Sequence, residues 1–149
     1  PTLPTGYTHW AYAGAIGLNG STQIVANKLR GAWTSYNNSN TVLTGGTATS
    51  ATLVSLTAAV PDGALTVRLR IRVDTTNNDN DHQCRIWHTA GAEDYLVIDP
   101  VGSGQSGYRL VFTTEIPNNG EQLFYRFPSG MTGAGLTLDV LGYEMPVAS

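Results

Sequence analysis

The residues able to carry chemistry are few, and their spacing argues against most reactions. The histidines are His9, His82 and His88, and none stands in the H-x-x-x-H spacing that puts two imidazoles on one helix face for a metal. His82, Cys84 and His88 alternate along one stretch, but alternate residues of a strand lie ~6.6 Å apart, which stretches them beyond a common zinc ion. Cys84 is the single cysteine, so no disulfide forms within the chain and no multi-cysteine metal cluster exists. No G-x-S-x-G elbow is present to expose a nucleophilic serine. The eleven acids allow many pairs, and no pair is singled out as the two facing carboxylates of a glycosidase. Glu93-Asp94 and Asp99 cluster only as loop ends commonly do. The reading is a non-enzyme with no metal and no cofactor.

Three further patterns bear on ligands. Gly102-Ser103-Gly104-Gln105-Ser106-Gly107 fits G-x-G-x-x-G, but Tyr108-Arg109-Leu110-Val111-Phe112 follows it. A dinucleotide site needs a helix there, and this run is a strand pattern. Asp74 to Asp81 reads Asp-Thr-Thr-Asn-Asn-Asp-Asn-Asp, oxygen-rich enough to hold calcium, although without EF-hand spacing or its glycine. The aromatic residues are the third pattern. Trp33-Thr34-Ser35-Tyr36-Asn37-Asn38 sets two aromatic rings beside amides and hydroxyls. Aromatic faces stack on the apolar faces of sugars while amides bond the hydroxyls, so Trp33, Tyr36, Asn37 and Asn38, with Trp87, are the candidate glycan contacts.

Positioning these residues falls to strands. The chain of 149 residues carries Lys+Arg 8 against Asp+Glu 11, a net charge of −3, and only 13% charged residues. No basic face suggests nucleic acid. No apolar run is long enough to span a bilayer, and no leader is visible. The chain starts at Pro1, which is expected of a processed product or the C-terminal piece of a longer polypeptide. Threonine, glycine and aromatics dominate, and period-two alternation recurs between turn clusters such as Asn19-Gly20, Pro61-Asp62-Gly63 and Pro117-Asn118-Asn119-Gly120. About ten strands are expected, over 8–18, 23–29, 33–36, 52–60, 65–73, 82–89, 95–98, 108–114, 122–127 and 136–143, with a further short piece of strand near Val42-Leu43. Residues 37–49 otherwise read as loop. The expectation is one domain over 1–149, an antiparallel β-sandwich of jelly-roll type.

The cleanest strand carries an arginine ladder. Val67, Leu69, Ile71 and Val73 face one way, and Arg68, Arg70 and Arg72 the other. A hairpin closing over Asp74 to Asp81, with Ile71 opposite Cys84, would set Arg70 against Arg85 and Arg68 against Trp87. Like charges directly opposite one another need neutralising. Asp139 and Glu144 on the last strand, or acids of a neighbouring subunit, are the expected partners, which makes Arg68, Arg70, Arg72, Arg85 and Asp139 the candidate interface.

Leu3-Pro4-Thr5-Gly6-Tyr7-Thr8, followed by the small-residue strand Ala11 to Gly17 with its Ile16-Gly17 and then the aromatic stretch Trp33 to Tyr36, resembles a module of bacteriophage and prophage proteins. The remainder is similar in style to C-terminal tips of phage tail fibres and tailspikes: all-β, rich in Thr, Gly and Asn, with Lys28 its single lysine. The resemblance implies a virion tail domain acting outside the cell, a homotrimer, and host-surface polysaccharide as partner. It implies no membrane insertion and carries over no binding residue. The alternatives are a structural virion domain without a glycan site, and a carbohydrate-binding module of a glycan-active enzyme.

Overall fold

The structure is a computed structural model and describes residues 27–75, 83–91, 96–98, 108–128 and 133–146. The expected strands 8–18 and most of 23–29, the histidines His9 and His82, the Gly102–Gly107 stretch and the residues carrying the phage-module resemblance before Trp33 lie outside them.

Alternation in the sequence becomes strand wherever one face can be buried. Nine strands form among the described residues: β1 (Asn27–Arg30), β2 (Trp33–Gly46), β3 (Thr52–Ser55), β4 (Thr66–Thr75), β5 (Cys84–Trp87), β6 (Leu96–Ile98), β7 (Tyr108–Pro117), β8 (Gln122–Arg126) and β9 (Ala134–Glu144). They make two antiparallel sheets, one ordered β1-β2-β9-β4-β7 and the other β3-β8-β5-β6. The described residues are therefore all-β. No helix among the described residues is long and apolar enough to cross a membrane.

The pairing is nested: β2 with β9, β3 with β8, β4 with β7 and β5 with β6. The ribbons are then joined side by side through β4 with β9 and β5 with β8. Both sheets give their inner faces to one core. It holds Val67, Leu69, Ile71 and Val73 from β4, Leu136, Leu138, Val140 and Tyr143 from β9, and Cys84, Ile86, Leu123 and Tyr125 from the second sheet. Burying one such side chain is worth about 1.5–3 kcal/mol, so the inner faces fix the register of each strand.

The expected hairpin with Ile71 opposite Cys84 does not form. Ile71 pairs with Phe112 and Leu138, and Cys84 with Ile98 in the other sheet. β4 and β5 thus lie in different sheets, and Arg85 and Trp87 are separated from the arginines of β4. The stretch 37–49 is also corrected. Its greater part belongs to β2, a 14-residue strand. The strand expected over 52–60 stops at Ser55, where Leu56 accepts hydrogen bonds from the amides of Ala59 and Val60. One turn there drives Leu56, Ala59 and Val60 together into the core.

β9 shows why the outer face looks as it does. Leu136, Leu138 and Val140 point inward, yet so does Tyr143. Arg68 pairs with Gly142 while Leu69 pairs with Val140, so Leu141 is an extra residue that reverses the phase of the strand. Opposite the same point, Ser35 pairs with Gly142 and Asn40 with Val140, which leaves β2 bulging through residues 36–39. The close approach requires glycine: a Cβ on Gly142 would lie 2.3 Å from the Thr34 carbonyl oxygen.

Candidate functional site

The outer face of the five-stranded sheet carries most of the polar side chains singled out above. Strand alternation puts Arg68, Arg70, Arg72 and Asp74 of β4 there. Their cross-strand partners are Glu115, Thr113, Val111 and Arg109 on β7, and Gly142, Asp139, Thr137 and Gly135 on β9. The arginine ladder is real, and this chain supplies its counter-charges.

Arg68 sets Nε 3.0 Å and Nη2 2.6 Å from Glu115 Oε1. Arg70 donates from Nε to Asp139 Oδ2 at 2.9 Å and from Nη2 to the Ser39 hydroxyl at 3.0 Å. Arg72 donates to Asp74 Oδ2 at 3.0 Å and to the Thr137 hydroxyl at 3.1 Å, and Arg109 pairs with the other oxygen of Asp74. The expected partnership with Asp139 is present. Glu144 instead accepts a hydrogen bond from the Thr66 hydroxyl. Arg85 does not join the ladder: it lies in the other sheet, paired in register with Arg126 and Val97.

Asp139 is the most enclosed acid of the network, with 8% of its side chain exposed. Burial alone would raise its pKa. Hydrogen bonds from Thr41 and Arg70 and the charges of Arg70 and Arg72 outweigh that, and the carboxyl is held below the ordinary aspartate value.

At one end of the ladder an open cleft of about 460 Å³ is lined by Arg30, Trp33, Ser35, Tyr36, Asn37 and Arg68. The two-residue turn Gly31-Ala32, with Gly31 at φ 62°, folds β1 back so that Arg30 pairs directly with Trp33. Trp33 is half-buried, and the Arg68 guanidinium sits over its ring at 4.6 Å from the centroid. A cation so placed is worth about 0.5–1 kcal/mol at an exposed site, a modest bias toward this orientation of the indole. The arginine-on-tryptophan contact expected for Arg68 exists, but with Trp33 in place of Trp87. Across Arg68 a second, shallower groove of about 600 Å³ runs along Thr113, Thr114, Glu115 and the bulged Leu141.

The other glycan candidates separate. Tyr36 packs edge-on against Tyr143 at 5.9 Å, and its hydroxyl donates to the Ala59 carbonyl. Burial, with a smaller effect of Tyr143, raises its pKa well above the ordinary phenol value. Tyr36 is therefore an anchored wall of the cleft. Asn37 and Asn38 are exposed in the β2 bulge. Trp87 is 1% exposed and stacks on Phe124 at 5.9 Å, so it offers no ring to a ligand. Arg30 was not singled out by the sequence, and Ser35 entered only as part of the 33–38 segment. The signal for Arg30 was the Gly-Ala turn that pairs it with Trp33.

Elsewhere the chemistry is quiet. Cys84 is fully buried, and burial pushes its thiol up to about 12, which removes the thiolate at neutral pH. Asp74, the first residue of the acidic loop, is engaged by two arginines, and residues 76–81 of that loop lie outside the described part. No group of three His, Cys, Asp or Glu side chains able to hold a metal comes together among the described residues. Comparison with known proteins finds no matching family model and no matching curated relative.

Proposed function

We propose that this chain is a β-sandwich of jelly-roll type that serves as the distal domain of a phage tail fibre or tailspike, binding host-surface glycan through the cleft at Trp33. The jelly-roll reading is supported by the nested pairing. From β2 onward the sheets read β2-β9-β4-β7 and β3-β8-β5-β6, which is what a four-fold-nested antiparallel ribbon gives when it wraps on itself as two Greek keys. The virion setting and the homotrimer rest on the resemblance described above.

The observation that carries glycan binding is the Trp33 ring: partly exposed, with the Arg68 guanidinium 4.6 Å from its centroid, in an open cleft that Ser35 and Asn37 also line. A pre-oriented aromatic plane with hydrogen-bonding groups at its edge is how a protein takes up a molecule with one apolar face and a rim of hydroxyls. The cleft is shallow, and affinities of millimolar to micromolar order, about −4 to −8 kcal/mol, suit it.

An array of bacterial surface polysaccharides tests this. Binding that disappears in Trp33→Ala, while thermal unfolding stays within a few degrees of the parent protein, is the expected result. Absence of binding across the array, or binding unaffected by Trp33→Ala, overturns it.

A further inference from the structure

We infer that the saccharide taken by the Trp33 cleft is anionic, its carboxylate or phosphate meeting Arg30 beside the stacked ring; the inference rests on the glycan-binding reading above. Both charged side chains that line the cleft among the described residues are arginines, Arg30 and Arg68. Their situations differ. Arg68 has both its Nε and Nη2 turned to Glu115 on the side away from β2. Arg30 is exposed at the cleft and has no ion pair or hydrogen bond with any described residue.

That makes Arg30 the exception on a face where every other arginine is engaged: Arg68 by Glu115, Arg70 by Asp139, and Arg72 and Arg109 by Asp74. Nor do the acids that stand in register with Trp33 and Arg68 serve it. Glu115 is held by Arg68, and Glu144, the register partner of Trp33 on β9, accepts from Thr66 on the following strand. Neither lines the cleft. A guanidinium presents a planar fork of donors that matches a carboxylate or a phosphate in two-point contact, and Arg30 stands next to Trp33 in the cross-strand pair. A ring stacked on Trp33 therefore brings its substituents within the neighbourhood of that fork. Cross-strand neighbours have Cβ atoms only ~5 Å apart, about the width of a sugar ring, so one residue of the glycan can engage both.

The test uses a uronic-acid polysaccharide and a polysaccharide bearing pendant phosphate monoesters, each with a neutral counterpart of the same backbone: the first after reduction of its carboxyls to alcohols, the second after hydrolysis of its phosphate esters to free hydroxyls. Binding is followed by titration calorimetry on the parent protein, Arg30→Gln and Trp33→Ala. The expected result is that at least one charged form binds about tenfold more tightly than its neutral counterpart. The ratio then falls toward one in Arg30→Gln and in high salt, and the arm that responds identifies carboxylate or phosphate. Trp33→Ala abolishes binding of charged and neutral forms together. Equal binding of charged and neutral forms overturns the inference and leaves the glycan reading standing. A charge preference that survives Arg30→Gln also overturns it. No binding of any form overturns the glycan reading and the inference with it.

Discussion

Replacing Arg70 with methionine probes the network at its most enclosed point. The change keeps most of the aliphatic stem and removes the two donors that hold Asp139, at 2.9 and 2.8 Å from Oδ2. Asp139 stays 8% exposed, with only Thr41 still donating to it. Fully buried pairs broken on one side cost ~3–5 kcal/mol. Here the guanidinium is 45% exposed, so solvent screens the pair and the cost falls to about 2 kcal/mol. In a chain of this length that lowers Tm by about 4–8 °C. The pH dependence is the sharper readout. In the parent protein the Asp139 pKa is depressed, so its contribution is present above the ordinary aspartate range and is lost as pH falls through the folded-state value. Without Arg70, burial and the remaining donor oppose each other, and the depression shrinks. The variant is expected to lose stability less steeply on acidification, so the difference from the parent narrows as pH falls. Chemical denaturation from pH 7 down to about pH 3 measures this, and Asp139→Asn in the Arg70→Met background is expected to recover part of the loss. An Arg70→Met gap that stays constant over that range would refute the assignment of Asp139 as the group that Arg70 holds ionised.

Two further substitutions test the backbone beneath the site. Gly142→Ala is expected to cost about 1–3 kcal/mol by denaturant unfolding, because its Cβ meets the backbone of Thr34 and Ser35 and must part β2 from β9; Gly135→Ala, whose nearest neighbour would be 3.5 Å away, is the control and is expected to change little. Glu121→Asn is expected to gain about 0.5–1 kcal/mol, since Glu121 sits at φ 53°, a left-handed conformation that asparagine tolerates better. The gain is expected to be larger at neutral than at acid pH: burial and the neighbouring Asp62 raise the Glu121 pKa, so the native carboxylate is disfavoured as pH rises through that value.

What the sequence made legible follows from period-two alternation. On β4 four buried aliphatic residues alternate with three arginines, and both faces are where the pattern predicts. β2 was illegible for the opposite reason. It makes three register shifts against β9, between Ser35 and Asn40, Thr41 and Leu43, and Leu43 and Gly46. Each inserts residues that break the alternation, so a polar, Gly-containing run looks like loop. The site itself was half legible. Trp33 could be named from composition, but its partner Arg68 is brought to it through β9, a contact between strands far apart in sequence. Trp87 could not be told from Trp33 by type, because what distinguishes them is the stacking of Trp87 on Phe124 and its near-complete burial.

The arginine ladder alters what an oligomer of this chain would be built on. Three arginines on one strand face invite the argument that acids must come from a second subunit, and a trimer would supply them. Glu115, Asp139 and Asp74 remove that need, because β7 and β9 flank β4 and bring their own carboxylates into register. Electrostatics on this face then favours the folded chain without favouring its association. Three of the four large apolar side chains exposed among the described residues lie at sheet edges, Val111 on the arginine face itself. Leu53, Val97 and Val111 are 51%, 46% and 50% exposed, and they sit on β3, β6 and β7, each at the edge of its sheet among the described residues. Strand edges that combine open hydrogen-bonding groups with apolar side chains are where sheets extend into one another. Any association of this domain would thus draw on those edges for apolar contact, whereas the arginine face already has its counter-charges within the chain.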